Sequence, residues 1–139
     1  MSIKQNTISI RAKSRGCRLI TSEIESGLPD TGGGTGTAHI FLKHTSASLT
    51  INENASPDVR GDLERLANNV VPDGARYYEH TLEGPDDMSA HGKSSFIGTS
   101  LTVPVSGGRL NLGTWQGIYL WEHRDRPRER QIVITTITE

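Results

Sequence analysis

The clearest signal for the fold is the segment Gln131-Ile132-Val133-Ile134-Thr135-Thr136-Ile137-Thr138. Its β-branched residues favour an extended backbone, because branching at Cβ fits the pleated surface of a sheet better than a helix. The run from Ile132 to Ile134 is apolar on both faces of such a strand, which is typical of a strand with a neighbour on each side. We therefore predict a central strand over residues 131–138.

The remaining elements are predicted from apolar spacing and from capping residues. Strands are predicted from alternating or continuous apolar residues at 7–12, 37–43, 47–52, 101–105, 109–112 and 118–123. Helices are predicted after Ser56-Pro57-Asp58 with an end near Pro72, over 90–97 with Ser89 as the cap, and around 23–25 with Thr21 or Ser22 as the cap. The fold class that follows is α+β: one domain spanning residues 1–139, with about six to eight strands in a largely antiparallel sheet and two or three helices.

Composition limits the classes of partner and compartment. The chain has 139 residues, a formal net charge of −1, 33% hydrophobic residues and 15 glycines. The low apolar content favours completing the core against another subunit, and the near-zero charge gives no general attraction to nucleic acid or to an anionic membrane. With one cysteine, no apolar run near about 18 residues and no signal-like start, we expect a cytoplasmic protein without an internal disulfide.

Three histidines stand in polar, glycine-rich settings: His44, His80 and His91. Their convergence on one divalent cation is the sharper hypothesis, and separate structural histidines are the plainer one. Neutral imidazoles with a carboxylate suit zinc or another divalent transition metal, with one coordination position left open for water or substrate. Magnesium is the alternative. Its preferred oxygen ligands are available from the aspartates Asp58, Asp62, Asp86 and Asp87.

Further polar groups surround the predicted helices. His91 lies four residues after Asp87, so the two share a face if both are helical. Lys93 and Ser95 follow at a helix start that either binds an anion or is a solvated surface. Glu53 lies in the connection that precedes the helix predicted after Ser56-Pro57-Asp58, a frequent position for functional polar groups.

The last group flanks the strand predicted over 118–123. Trp115 and Gln116 either stack on and hydrogen-bond a planar ligand or, for the tryptophan, fill core. By strand parity Glu122 points to the apolar face, where an unpaired carboxylate holds a proton more readily and becomes an acid–base candidate. The plainer alternative is that the strand twists and the Glu122 side chain reaches water. Arg124 belongs to a basic run that is either a solvated turn or a phosphate contact.

These residues resemble the YjbQ family, often described as secondary thiamine-phosphate synthases. The resemblance covers nearly the whole chain, and its motifs are His44-Thr45-Ser46-Ala47-Ser48-Leu49-Thr50, Asn52-Glu53-Asn54, Tyr78-Glu79-His80, Asp86-Asp87-Met88, His91-Gly92-Lys93-Ser94-Ser95, Gly113-Thr114-Trp115-Gln116-Gly117 and Glu122-His123-Arg124. The Gly-Thr-Trp-Gln-Gly string is specific. The chain departs from the pattern at Gly92, where family members carry a bulkier residue.

The resemblance implies an α+β domain that assembles as a homotrimer, with a metal-holding polar site near subunit boundaries. It implies an activity that joins hydroxymethylpyrimidine pyrophosphate to thiazole phosphate and releases pyrophosphate, as the main activity or a side activity. The implied roles are metal ligation by His44, His80 and His91, substrate binding by Asn52, Lys93, Ser95, Trp115, Gln116 and Arg124, and catalysis by Glu53, His91 and Glu122. Two alternatives stay open: a metal-dependent hydrolase of a small phosphorylated or amide substrate, and a non-catalytic trimer that binds a metabolite or a metal.

Overall fold

The computed structural model describes the whole chain, Met1–Glu139, as eight strands and three helices. The strands are β1 (Ser2–Arg11), β2 (Gly16–Leu19), β3 (Gly36–Leu42), β4 (Ala47–Glu53), β5 (Ser100–Ser106), β6 (Arg109–Leu110), β7 (Gln116–Glu122) and β8 (Glu129–Thr138). The helices are α1 (Thr21–Gly27), α2 (Pro57–Val70) and α3 (Asp87–Ile97), and none is long and apolar enough to cross a membrane. All strand pairings are antiparallel, so the predicted fold class is confirmed.

Strand β8 lies inside the larger of two sheets. The five-stranded sheet has the order β1-β8-β3-β5-β6, and the three-stranded sheet has the order β2-β7-β4. Strand β8 pairs with β1 on one side and β3 on the other, which confirms the central strand predicted over 131–138. Ile132 and Ile134 point into the core and are fully buried, whereas Val133 is half-buried on the outer face.

Both sheets contribute to a single hydrophobic core. Ile40 and Ile134 come from the larger sheet, Leu49 and Leu120 from the smaller one, and Ile24 from α1. Full burial of an aliphatic side chain contributes roughly 1.5–3 kcal/mol. The apolar contact between the sheets is therefore the main source of stability, and it fixes the strand ends at which the polar residues lie.

Strand β7 is buried on both faces from Gly117 to Glu122. One face packs into the core between the sheets, and the other is covered by α2, where the Trp121 indole N–H donates to Glu64 at 2.8 Å. Because both faces of β7 are covered, its last residue, Glu122, lies in the interior of the protein. The expectation that Glu122 reaches water is wrong, since Glu122 is 0% exposed.

The start of α2 is predicted correctly and the start of α3 is not. Helix α2 begins at Pro57 with Ser56 at the N-cap, although the Ser56 hydroxyl donates to the carboxylate two residues on and caps no backbone amide. Helix α3 begins at Asp87, ahead of the predicted Ser89 cap. Ser89 lies inside the first turn, and its hydroxyl donates to Asp73, in the connection that follows α2.

The predicted caps of α1 are also wrong. The helix begins at Thr21 with Ile20 at the N-cap, and no side chain caps it. The Thr21 hydroxyl instead accepts a hydrogen bond from the Ile118 backbone N–H at 2.9 Å. This contact fastens the start of α1 to β7.

The connection between α2 and α3, residues 71–86, is a long loop whose two ends are tied together. The Gly74 backbone N–H donates to the Pro85 carbonyl at 3.0 Å. Gly74 and Gly84 adopt φ angles of 61° and 104°, in the region that favours glycine because it has no Cβ. The closed loop brings His80 against the start of α3.

Three successive rows of paired residues run across β1, β8, β3 and β5 on the outer face of the larger sheet. None of these rows contains Asp, Glu, Lys or Arg. By register these rows are Ile3, Gln5, Thr7, Thr37, His39, Phe41, Ser100, Thr102, Pro104, Val133, Thr135 and Ile137. Ile3, Phe41 and Ile137 are 69%, 43% and 44% exposed. We name this surface the uncharged sheet face.

Candidate metal centre

Three side chains converge at the start of α3. Asp87 and His91 lie four residues apart on that helix, and His80 reaches it from the 71–86 loop. Asp87 Oδ2 lies 2.8 Å from His80 Nε2 and 3.2 Å from His91 Nε2. One nitrogen or oxygen from each residue lies within 4.8 Å of the others. The chain therefore contains a His/Asp/His group that is able to hold a metal ion.

The position of the proton on His91 follows from its partners. Nδ1 lies 2.8 Å from the Thr45 backbone carbonyl, and a carbonyl only accepts, so Nδ1 carries the hydrogen. In the neutral ring Nε2 then presents a lone pair towards Asp87, which is also an acceptor. Two acceptors 3.2 Å apart repel each other, so the arrangement favours a cation between them, such as a bound metal ion.

Asp87 is held in a buried charged network. Arg124 donates from Nη1 to the second Asp87 oxygen at 2.7 Å, from Nε to Asp86 at 2.9 Å and from Nη2 to the Glu83 carbonyl at 3.0 Å. Burial alone would raise the pKa of Asp86, but the Asp125 backbone N–H and the Arg124 guanidinium hold it below its usual value. Two carboxylates facing one guanidinium leave a surplus of negative charge, which favours a further cation beside Asp87. The predicted substrate-binding residue Arg124 is thus occupied by partners of its own chain.

A cleft of about 660 Å³ opens beside His91. Its polar walls are the β3–β4 connection and the last turns of α3, which contribute Lys43, His44, Thr45, Ser94 and Ser95. Ammonium, hydroxyl and imidazole N–H groups all donate hydrogen bonds. The cleft therefore suits a ligand rich in oxygen acceptors, such as a phosphate ester.

His44 lines this cleft and lies outside the three-residue group. Its Nε2 accepts a hydrogen bond from the Gln131 backbone N–H at 2.8 Å, so the neutral ring carries its hydrogen on Nδ1. Burial, together with the charge of Arg130, lowers the pKa of His44 and keeps the ring neutral. Within one chain His44 is a hydrogen-bond donor of the cleft. Metal ligation through its Nε2 stays a prediction that requires the Gln131 contact to break.

The two predicted substrate-binding residues of α3, Lys93 and Ser95, lie on different sides of the helix. Ser95 is at the cleft, where its hydroxyl donates to the His91 carbonyl at 3.0 Å. Lys93 is 1% exposed and its ammonium donates to Asn68 of α2. Burial and the nearby Arg15 lower the pKa of Lys93. In this chain Lys93 links two helices and does not reach the cleft.

Glu122, predicted to act as acid or base, accepts four hydrogen bonds. Arg130 donates from Nε at 2.9 Å and from Nη2 at 2.5 Å, and the backbone N–H groups of Arg124 and Arg128 each donate at 3.2 Å. Both carboxylate oxygens are therefore engaged by donors, and the residue has no exposed surface. Its geometry is that of an anchor, and its catalytic role stays a prediction.

Four predicted site residues lie at the far end of the smaller sheet: Asn52, Glu53, Trp115 and Gln116. The register of β4 and β7 pairs Glu53 with Gln116 at that end and Ala47 with Glu122 at the other. The six steps from Gln116 to Glu122 span about 20 Å at about 3.4 Å per residue. Within a single chain these four residues therefore lie at the opposite end of the smaller sheet from Glu122, and Trp115 is 64% exposed there.

Two components of the centre are missing from the three-histidine ligand set, although the sequence offered Asp87 as an oxygen ligand for magnesium. Asp87 is one, and its spacing of four residues from His91 was the available signal, because it places both on one helix face. The Thr45 carbonyl is the other. It is a backbone atom that the fold brings to His91, and no sequence pattern marks it.

His123, which follows Glu122 in the sequence, is fully buried, and only one of its two ring nitrogens has a hydrogen-bond partner. His123 Nε2 lies 2.8 Å from the Ser48 hydroxyl, whereas Nδ1 has no hydrogen-bond partner. Burial, reinforced by the charge of Lys93, lowers the pKa of His123 to about 3. The folded chain therefore keeps this ring neutral, while the unfolded chain protonates it near pH 6.5.

This difference predicts a pH dependence of stability. Between pH 6.5 and about 3 the unfolded chain binds a proton at His123 that the folded chain does not, so stability falls as the pH falls, by about 1.4 kcal/mol per pH unit at full effect. Replacing His123 with glutamine should remove most of this slope between pH 5 and 7, measured by urea unfolding. His39→Gln on the exposed sheet face is the matched control. Equal slopes in the wild type and in His123→Gln would contradict the assignment.

Comparison with known proteins matches nearly the whole chain to one protein family. The family model described as UPF0047 protein YjbQ-like matches residues 6–139. The chain is 54% identical over 134 residues to the UPF0047 protein YjbQ of Salmonella typhimurium, covering 94% of this chain and 95% of that protein. It is 35% identical to a solved protein of the yjbq/upf0047 family from Clostridium acetobutylicum, with a TM-score of 0.82 and coverage of 96% and 98%. A hypothetical protein of Aeropyrum pernix K1 matches with a TM-score of 0.84 at 30% identity, covering 98% of both chains.

Proposed function

The chain belongs to the YjbQ-like UPF0047 family, and on this premise we propose that it is a metal-dependent enzyme acting on a small phosphorylated molecule. The observation that carries the proposal is the convergence of His80, Asp87 and His91 within 4.8 Å beside an open polar cleft. A cluster of ionisable side chains beside a cleft is a usual mark of a site for chemistry.

The donor set favours zinc over magnesium. Two imidazoles and one carboxylate match the three protein ligands of catalytic zinc sites, which keep a further position for water or substrate, whereas magnesium prefers oxygen ligands. The Nε2 lone pair of His91 faces Asp87 and lacks a donor in the neutral ring, which is the arrangement a metal ion satisfies. A divalent cation here supplies Lewis-acid stabilisation of negative charge that develops on a phosphate or pyrophosphate oxygen.

The cleft supports an anionic ligand next to this centre. His44 is neutral and presents its Nδ1–H, and Lys43, Thr45 and Ser94 add an ammonium and hydroxyls along the walls. Such donors bind and orient phosphate oxygens without proton transfer. His44 accordingly acts in the proposal as a hydrogen-bond donor to the substrate.

The finer proposal is a thiamine-phosphate synthase-like transfer that joins hydroxymethylpyrimidine pyrophosphate to thiazole phosphate and releases pyrophosphate. Departure of pyrophosphate concentrates charge on the leaving oxygens, and a cation with the cleft donors stabilises that charge. Two other outcomes are kept for the test. A hydrolase would use the open coordination position for water, and a non-catalytic protein would bind the metal or a metabolite without turnover.

We also propose that the chain works as a homotrimer. The uncharged sheet face is large, partly apolar and free of ionised side chains, and depletion of charge is typical of the buried centre of an interface. Further copies covering this face would complete the thin core. They would also supply exposed groups such as Trp115, which within one chain lies beyond the end of β7 opposite Glu122.

Metal content and turnover test the proposed function together. Protein purified without chelator or metal-affinity resin is expected to carry about one zinc ion per chain, and a chelator should remove both metal and turnover, with zinc restoring them. Pyrophosphate release that needs both synthase substrates supports the transferase. Release from a single substrate supports the hydrolase. Metal without any turnover supports the binding protein, and the absence of metal affinity would refute the metal centre.

A further inference from the structure

We propose that the buried Glu122–Arg130 ion pair is a positioning device for the metal centre, acting on His91 through the peptide Thr45–Ser46. The inference rests on the proposed function for the role of His91 as a metal ligand. The orientation and tautomer that the pair imposes on His91 are properties of the metal-free chain.

The first link joins the ion pair to Ser46. Arg130 is 1% exposed and spreads its guanidinium over two partners. Nε and Nη2 donate to Glu122, while Nη1 donates to the Ser46 hydroxyl at 3.0 Å and Nη2 to the Ser46 carbonyl at 3.2 Å. Glu122 in turn is fixed by two backbone N–H groups. Ser46 is thereby held at both its side chain and its backbone.

The second link joins this anchored segment to His91. Thr45 precedes Ser46, so fixing the Ser46 backbone limits the directions in which the Thr45 carbonyl can point. That carbonyl accepts from His91 Nδ1 at 2.8 Å. The contact sets the Nδ1–H tautomer and turns the Nε2 lone pair towards Asp87 and His80.

The chemistry of the pair fits this role better than a role in stability. A buried ion pair loses hydration, and apolar residues of similar volume often stabilise a fold as well or better. Apolar residues would offer no hydrogen-bond donor to the Ser46 hydroxyl and carbonyl. The planar guanidinium of Arg130 donates to both, because it presents several N–H groups in fixed directions.

The test uses two variants of different severity and two readouts. Arg130→Lys keeps the positive charge and loses the fork, and Ser46→Ala removes one contact with little loss of volume. Zinc affinity is measured by competition with a chromophoric chelator. The tautomer of His91 is measured by nitrogen NMR of its ring in the metal-free protein at alkaline pH, where imidazole is neutral, and a general loss of stability does not move this signal. The controls are Arg128→Lys, on an exposed arginine, and Ile24→Val, a change to a buried core residue of α1 that lowers stability.

Arg130→Lys is expected to weaken zinc binding about 10–100-fold, the range typical of losing an outer partner of a metal ligand. Its His91 ring should change from the single Nδ1–H form to a mixture of tautomers, and Ser46→Ala should show the same change to a smaller extent. Both controls should match the wild type in both readouts. If Arg130→Lys does not fold, the zinc affinity and the His91 tautomer of Ser46→Ala alone test the proposal.

Unchanged affinity and an unchanged tautomer in Ser46→Ala and in any folded Arg130→Lys would overturn the proposal. Weaker zinc binding with an unchanged His91 tautomer would overturn the route through Thr45. A Glu122→Gln variant that loses turnover while keeping affinity and tautomer would make Glu122 a direct participant and overturn the positioning role. If the wild type binds no zinc, the proposed function fails, and the tautomer measurement still decides this inference.

Discussion

Replacing His91 with alanine is expected to remove zinc from the protein, whereas replacing His44 with alanine is expected to leave it bound. His91 supplies a lone pair to a group of only three ligands, so its loss should lower the affinity by more than about 100-fold, beyond the 10–100-fold typical of outer partners. His44 uses its Nε2 to accept from the Gln131 N–H, so His44→Ala should keep the metal and lose affinity for the phosphorylated substrate. Zinc per chain by elemental analysis, together with chelator competition, checks both.

The matched control for both variants is His39→Ala, because His39 lies on the uncharged sheet face, where its ring stacks on Phe41 and not on a residue of the metal centre. It should keep both zinc and turnover unless trimer assembly fails, which size-exclusion chromatography would reveal. Full zinc content in His91→Ala would remove this histidine from the centre. Loss of zinc in His44→Ala would place His44 in the coordination sphere, in a conformation that gives up Gln131.

The fold could be predicted from the sequence because its signals are local and repeat along the chain. Alternation and β-branching marked most of the strands, and the apolar run at Ile132–Ile134 identified a strand with neighbours on both sides. The proline after Ser56 marked the start of α2. The Ser89 cap failed because a hydroxyl that suits a helix start bonded to Asp73 instead, a partner brought by tertiary structure.

The candidate site could be predicted only in part, because its geometry depends on long-range contacts. The sequence identified His80 and His91 as possible ligands, and helical spacing offered Asp87. Nothing in the sequence showed that His44 would turn its Nε2 to a backbone N–H of β8. Nor did it show that Lys93 would be buried against α2. The choice between a ligand and a structural histidine is made by partners many residues away.

Replacing Arg124 with methionine is expected to lower the free energy of unfolding by about 3–5 kcal/mol, the usual cost of removing one partner from a buried ion pair. Asp87 would be left buried at 1% exposure without its guanidinium, and Asp86 would keep only backbone donors. Zinc should restore part of the loss, because a cation held by Asp87 replaces the missing positive charge and binding stabilises the folded state. Urea unfolding with and without zinc measures both effects.

The control for this prediction is Arg126→Met, since Arg126 is exposed on the same turn and its side chain has no acidic partner. That substitution should change stability by less than about 0.5 kcal/mol, as surface substitutions usually do. Adding Asp87→Asn to Arg124→Met should recover stability, because it removes the unpaired charge, and should abolish the response to zinc. A loss in Arg124→Met no larger than in the control would show that Asp87 does not depend on the guanidinium. A zinc response that survives Asp87→Asn would place the metal elsewhere than on the His80, Asp87 and His91 group.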